Sequence, residues 1–446
     1  MDDYRAVADA VAADITAGRL RPGDRLATQR AFARERGIAG STAARVYKEL
    51  VRRGLVVGEV GRGTFVRSAE PVPGPALSEP TGARVDLELT LPAVPGQAAL
   101  LAEGLRRFQR PEALDAALRP ATVTGTAAAR DAVARLLARD GWRPDPARLL
   151  FAGNARQAIG AALSALVPAG ERLGVEAFTY PVIKSLAGRL GIGLVPIATD
   201  EHGLSPAALA EAHRLTPLRA VYLQPTLQNP FSTTMPAGRR AELAGVLRRH
   251  DLHAVEDTIW AFLPTGGPPP LAAVAPDRTI MVDSVSKRVA PGLTAGFAVV
   301  PAALTARVAT AVRAGAWLPA GFALDAVTGW INDGTIDRIT GLKRDDVRER
   351  QRILAGALTG FELRTDPLSY FCWWDLPAPW RAETFVAAAA RRGIAVTPAA
   401  AFAVGSGSAP HAVRFGLASP PPETLARALG VLGSIARGAP EDTLAD

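Results

Sequence analysis

Between Glu70 and Ala83 the chain reads EPVPGPALSEPTGA, a Pro- and Gly-rich run without apolar periodicity. Proline removes a backbone donor and fixes φ, and glycine adds chain freedom, so neither a helix nor a strand persists through such a run. It reads as a linker, expected over 70–88, and each side must then build its own core. With 446 residues, two or three such cores are expected.

Before the break, Val7, Val11 and Ile15 recur at helical spacing, and Pro22-Gly23 ends that helix. Thr28 is placed to cap a second helix over roughly 29–36, which Gly37 ends. Ser41 is placed to cap a third helix, which Gly54 ends. LVVGEVGRGTFV (55–66) then reads as two short β-runs around a Gly-rich tip. Three helices and a hairpin in this order predict a mainly α winged helix-turn-helix over 1–69. The head holds 13 Lys+Arg against 8 Asp+Glu, and the remaining residues hold 38 against 35. Most of the net charge of +8 therefore sits in the head. This is either a footprint for a polyanion or a solvated basic surface.

The third helix presents Ser41, Thr42, Arg45 and Lys48 where such a fold enters the major groove of double-stranded DNA. Arg30 is placed for a phosphate, and Arg62 on the hairpin tip for an adjacent minor groove. The ordered residues Pro22, Gly23, Leu26, Arg30, Ala33, Thr42, Tyr47, Leu50, Gly54, Leu55, Gly61, Gly63, Thr64 and Val66 resemble the GntR family of DNA-binding regulators. Gly40 stands where that family often has Arg. A winged helix used only for protein contact is the alternative.

After the break, Ala/Leu/Arg-rich helical stretches alternate with apolar runs such as RLLFAG (148–153), RLGVE (172–176) and RTIMVDS (278–284). This alternation predicts an α/β domain over 89–446 with a mostly parallel sheet covered on both faces. Its large lobe is expected at about 120–335 and a smaller α+β lobe at about 340–446. No apolar run is long enough to span a membrane, and the acidic start (Asp2, Asp3) lacks the order of a signal peptide. A single cysteine, Cys372, leaves no internal disulfide and suits a reducing, cytoplasmic setting. The scattered cysteine and histidines draw no zinc site.

VDSVSKRVAPGLTAGF (282–297) follows a predicted strand and carries Lys287 behind Ser284 and Ser286. A lysine joins a carbonyl only when its amine is partly neutral, which a sheltered site provides. Asp257 ends the strand of AVEDTIW and is placed to hold a pyridine nitrogen protonated, or simply to cap a turn. Asn229 is a candidate partner for a phenolic ring oxygen, and Tyr180 for stacking on a ring or packing in the core. FAGNARQAI (151–159) is a strand-to-helix turn whose N–H groups suit a phosphate. Arg414 suits a carboxylate clamp or a structural ion pair.

The order of phosphate turn, Tyr, Asn, Asp, S-x-S-K and late Arg resembles fold-type I aminotransferases over roughly 90–440. That resemblance implies pyridoxal 5'-phosphate joined to Lys287 as an aldimine. It implies Asp257 at the pyridine nitrogen, Asn229 at the ring hydroxyl, and Tyr180 stacked. It also implies Ala155, Arg156 and Ser284 at the phosphate, and Arg414 at a substrate or effector carboxylate. Thr294 stands where relatives carry a phosphate-binding Arg, with Arg288 as a candidate replacement. Trp260 stands where relatives often carry a Tyr, PFS (230–232) replaces P-T-G, and Ala155 replaces a common hydroxyl.

Head and body together resemble the MocR class of regulators. The resemblance implies a homodimer that senses an amine, an amino acid or the cofactor itself. Release of Lys287 by the ligand would shift the lobes and the spacing of the heads. Two alternatives stand beside it. One is a working aminotransferase with an accessory head, and the other is a regulator whose body has lost the cofactor.

Overall fold

The computed structural model describes residues 4–17, 19–20, 24–52, 55–59, 63–66, 82–118, 120–139, 141–405 and 409–440. The chain forms two compact units that part near residue 76. The expected Pro22-Gly23 turn, the wing tip with Arg62, and the linker up to residue 81 lie outside the described residues.

In the head, α1 (Tyr4–Thr16), α2 (Gln29–Arg36) and α3 (Gly40–Arg52) precede an antiparallel hairpin of β1 (Val56–Glu59) and β2 (Gly63–Val66). Thr28 caps α2 by accepting from the Ala31 N–H, and Gly37 ends it at φ 64°, where a side chain would be strained. Ser41 does not cap α3. The helix begins one residue earlier, with Ala43 N–H bonded to the Ala39 carbonyl, so Ser41 lies in its first turn. Val11, Ile15, Phe32, Val46 and Leu50 meet in one core. Each such burial contributes about 1.5–3 kcal/mol, so Val46→Asp would break the head.

The body is built on a seven-stranded sheet. Its strands run, in spatial order, Leu149–Ala152, Gly296–Val299, Thr279–Ser284, His253–Asp257, Ala220–Leu223, Arg172–Glu176 and Gly193–Ile197. Only Gly296–Val299 is antiparallel to its neighbours. The central strands are buried on both faces, which explains their unbroken apolar runs. Gly193–Ile197 was not among the predicted strands. It is a partly exposed edge carrying Pro196, a residue that an edge tolerates and a central strand does not.

A second sheet of four antiparallel strands includes Phe371–Asp375 and Ala412–Gly416 and forms the smaller lobe. Residues 82–88, read as the end of the linker, belong to this lobe instead. Val85–Asp86 pairs with Ile394–Ala395, and Leu87 is fully buried, because the apolar Val85 and Leu87 have a core to join. The long helix Thr335–Ala357 serves both lobes: Ile336 and Ile339 lie in the large-lobe core and Leu354 in the small-lobe core.

Candidate functional site

Ligands of open α/β sheets sit beyond the carboxyl ends of the strands. There, Asn154, Arg156, Tyr180, Asn229, Asp257, Trp260, Lys287, Thr294 and Arg414 line one cavity. Glycine permits the two closest backbone approaches around it. A Cβ on Gly296 would lie 2.3 Å from the Asn154 backbone, and one on Gly416 would lie 2.5 Å from the Leu89 carbonyl.

Asp257 ends its strand with 2% exposure. Its Oδ2 accepts from the Tyr222 hydroxyl (2.7 Å) and from Gln224 Nε2 (2.9 Å), and its Oδ1 accepts from the Ile259 N–H. Burial nevertheless raises its pKa to about 6, against the lowering effect of those donors. The sequence reading missed Tyr222 and Gln224. Their signal was two polar-tipped residues at i and i+2 of an apolar strand, and hence on one face.

The Lys287 amine donates to the Thr90 carbonyl (2.5 Å) and lies 5.4 Å from the centre of the Trp260 ring. Burial lowers its pKa to about 7, aided by the charges of Arg156, Arg414 and Lys343. A substantial neutral fraction at physiological pH is what carbonyl chemistry needs.

At another wall of the cavity, the helix Ala155–Leu166 points its N-terminus inward, capped by Asn154 Oδ1 on the Gln157 N–H. Arg156 Nε donates to the Tyr180 hydroxyl (3.1 Å). Ser286 lines the cavity and Ser284 does not. Ser284, the last residue of its strand, is fully buried and bonds Ser286 at 2.7 Å. Arg288 is likewise no replacement for the missing Arg. It faces the opposite way and pairs with buried Asp283 at 2.6 Å. Thr294 is in place, and its buried hydroxyl has no partner.

Asn229 is 7% exposed, and its Oδ1 is also buried without a partner. Arg414 is 3% exposed, and burial lowers its pKa to about 10. It donates to the Glu88 carbonyl and to Thr90 Oγ1, both at 2.8 Å, while its Nε is unpaired. Glu88 and Thr90, absent from the sequence reading, therefore cross the cavity and hold both of its inner cations. Burial, with Asp86 nearby, raises the Glu88 carboxyl to about 7. Three cations against two carboxyls of raised pKa make the cavity suited to an anion.

These groups fit pyridoxal 5'-phosphate. The unpaired Asn229 and Thr294 oxygens, the helix N-terminus with Arg156, and the partly neutral lysine each match one part of it. In the head, Arg30, Ser41, Arg45 and Lys48 are exposed and Thr42 is half-buried. The Arg45 guanidinium lies 4.0 Å from the centre of the Tyr4 ring, which limits its rotamers. Among the described residues, no group of three or more His, Cys, Asp or Glu is placed to hold a metal. No helix among them is long and apolar enough to cross a membrane.

Residues 100–432 match the family model "Aminotransferase class I and II", and residues 3–66 match "Bacterial regulatory proteins, gntR family". The chain is 27% identical over 419 residues to the uncharacterized HTH-type transcriptional regulator YdeF of Bacillus subtilis, covering 94% of this chain and 90% of that one. It is 27% identical over 425 residues to the HTH-type pyridoxine biosynthesis transcriptional regulator PdxR of Corynebacterium glutamicum, covering 92% and 91%. Among solved structures, an archaeal alanine:glyoxylate aminotransferase superposes with a TM-score of 0.72 at 20% identity, covering 79% of this chain and 90% of that one.

Proposed function

The chain belongs to the class I and II aminotransferase family, joined to a gntR-family head in the MocR-type arrangement of a transcriptional regulator, and from that premise we propose that it binds pyridoxal 5'-phosphate at Lys287 and converts ligand binding there into a change in DNA binding. The observation that carries this reading is the convergence of Lys287, Asp257, Asn229, Tyr180 and Arg156 on one cavity in a chain that begins with a winged helix-turn-helix.

The cofactor, when bound, supplies an aldehyde for amines and a ring that withdraws electrons. Asp257 keeps a negative charge, or a proton, in the cavity, with Tyr222 and Gln224 fixing its Oδ2 and the Ile259 N–H its Oδ1. Asn229 and Tyr180 orient the ring, while Arg156, Thr294 and the helix N-terminus hold the anion. Arg414 takes the carboxylate of an amino-acid effector, and an amine or the cofactor itself are the other effector classes. The PdxR relative, named for pyridoxine biosynthesis, supports the cofactor as a signal.

Lys287 and Arg414 are both held by residues 88–90. A ligand engaging either cation competes with that segment, which leads back through the linker to the head. We take residues 1–69 as the DNA-binding unit, with Arg45 reading bases and Arg30 anchoring a phosphate. Two heads on a homodimer would suit paired half-sites. Titrating the purified protein with pyridoxal phosphate, then with candidate amines, tests the reading by absorbance. Absence of a near-visible band would sink it.

Lys287, Asp257 and Arg414 all line the cavity, which also favours a working aminotransferase with an accessory head. Steady-state turnover with a panel of amino acids separates the two.

A further inference from the structure

Behind the cavity lies a second lysine. Lys343, on the helix Thr335–Ala357, is fully buried, and its amine donates to the carbonyls of Lys287 (2.8 Å) and Val289 (2.9 Å). A buried ammonium is costly, and an apolar residue would fill the space more cheaply, so its retention there asks for a role. Its own carbonyl lies 2.7 Å from the Tyr370 hydroxyl, which also lies 2.9 Å from Asp346 Oδ2. Asp346 pairs with Arg350 at 2.8 Å, and Arg350 donates to the Leu417 carbonyl, three residues beyond Arg414. One helix thus ties the backbone of the cavity lysine to the strand of the cavity arginine.

We propose that Lys343 is a positioning residue for Lys287: it clamps the turn 287–289 from behind, fixes where the Lys287 amine emerges relative to Arg414, and places a cation near that amine. The assignment rests on Lys287 being the reactive lysine. The charged groups acting on Lys287 are Arg156, Arg414 and Lys343, and each favours loss of its proton. Around Lys343, Asp346 favours retention of the proton and burial opposes it, bringing it to about 7. Lys343 therefore keeps a charged fraction through neutral pH, where Lys287 titrates.

The test needs no cofactor. In full-length protein stripped of cofactor, reductive methylation with formaldehyde and cyanoborohydride is followed at the Lys287 peptide by mass spectrometry from pH 5.5 to pH 10. The labelling midpoint reads the Lys287 amine directly, so a failure of cofactor binding, seen separately by absorbance, is distinguishable from a failure of this proposal. Lys343→Met, which removes the cation, is expected to raise the midpoint by about half a unit, roughly a twofold fall in labelling at pH 7 and about threefold well below it. Lys343→Arg, which keeps the charge and donors, is expected to stay near the parent. Where Lys343→Met does not fold, neutral Lys343→Gln against Lys343→Arg carries the same comparison. Equal midpoints in the neutral and charged variants overturn the proposal, whatever their thermal stability.

Discussion

The head turns its functional side chains outward, whereas the body turns them inward. Arg30, Ser41, Arg45 and Lys48 are exposed on two successive helices, Gln29–Arg36 and Gly40–Arg52. Asp257, Asn229 and Arg414 are buried and come from a strand end, a loop and the middle of a strand far apart in sequence. An outward face follows from helical periodicity alone. An inward set depends on which way each residue of a strand or turn points, so a shift of one or two positions exchanges a ligand contact for a core contact. The consequence is a difference in how substitutions act: in the head they should alter one binding reaction, and in the body they should alter binding and folding together.

The largest effect falls on Lys287. Lys287→Ala should abolish the near-visible absorbance of added pyridoxal phosphate while circular dichroism stays parental, because the loss of a half-buried side chain leaves no buried partner charge. An unchanged band would place the covalent bond elsewhere. Asp257→Ala should combine both kinds of damage. It strands the Tyr222 hydroxyl and the Gln224 amide in a buried site, at about 1–3 kcal/mol for each unsatisfied group, and removes the proposed partner of the ring nitrogen. Thermal unfolding and cofactor retention on dialysis should both fall, and parental values of both would contradict the assignment.

In the head, the effects should stay confined to DNA. Arg45→Ala is expected to cost about 1–3 kcal/mol on the cognate site alone, whereas Arg30→Ala should weaken all sequences alike and flatten the salt dependence. Salt titrations of binding on cognate and unrelated duplexes check this, and identical profiles for the two variants would remove the distinction.

The smallest effect is a pH dependence in the body. Lys287 has a folded pKa of about 7, below its ordinary 10.5, so the unfolded chain binds the extra proton between those values. Its burial therefore costs stability most fully below about pH 7, and the cost fades as pH rises towards 10.5. Without cofactor, Lys287→Met should be more stable than the parent by on the order of 1 kcal/mol near pH 7. That advantage should shrink by pH 10 in denaturant titrations. A constant difference would mean the lysine is not charge-stressed.

The same contrast explains what was legible in the sequence. Thr28, Gly37 and the Gly-flanked hairpin announce the head because caps and turns are local chemistry. Motif order singles out Lys287, Asp257, Asn229, Tyr180 and Arg414 in the sequence, and all five line the cavity. Ser284 and Arg288 were misdirected because linear spacing does not say which side of the turn faces inward. Thr90, Glu88 and Lys343 carried no local signal. Their roles come from a segment and a helix folded back against the site from far along the chain.

The central claim is that the lysine cavity controls the head. Its direct measurement is the affinity of full-length protein for DNA upstream of its own gene, with and without pyridoxal phosphate and then a candidate amine, in the parent and in Lys287→Ala. The parent should change affinity on adding ligand, and Lys287→Ala should bind DNA with no such change. DNA affinity that is identical with and without every ligand, in a protein whose absorbance shows the cofactor bound, would contradict it.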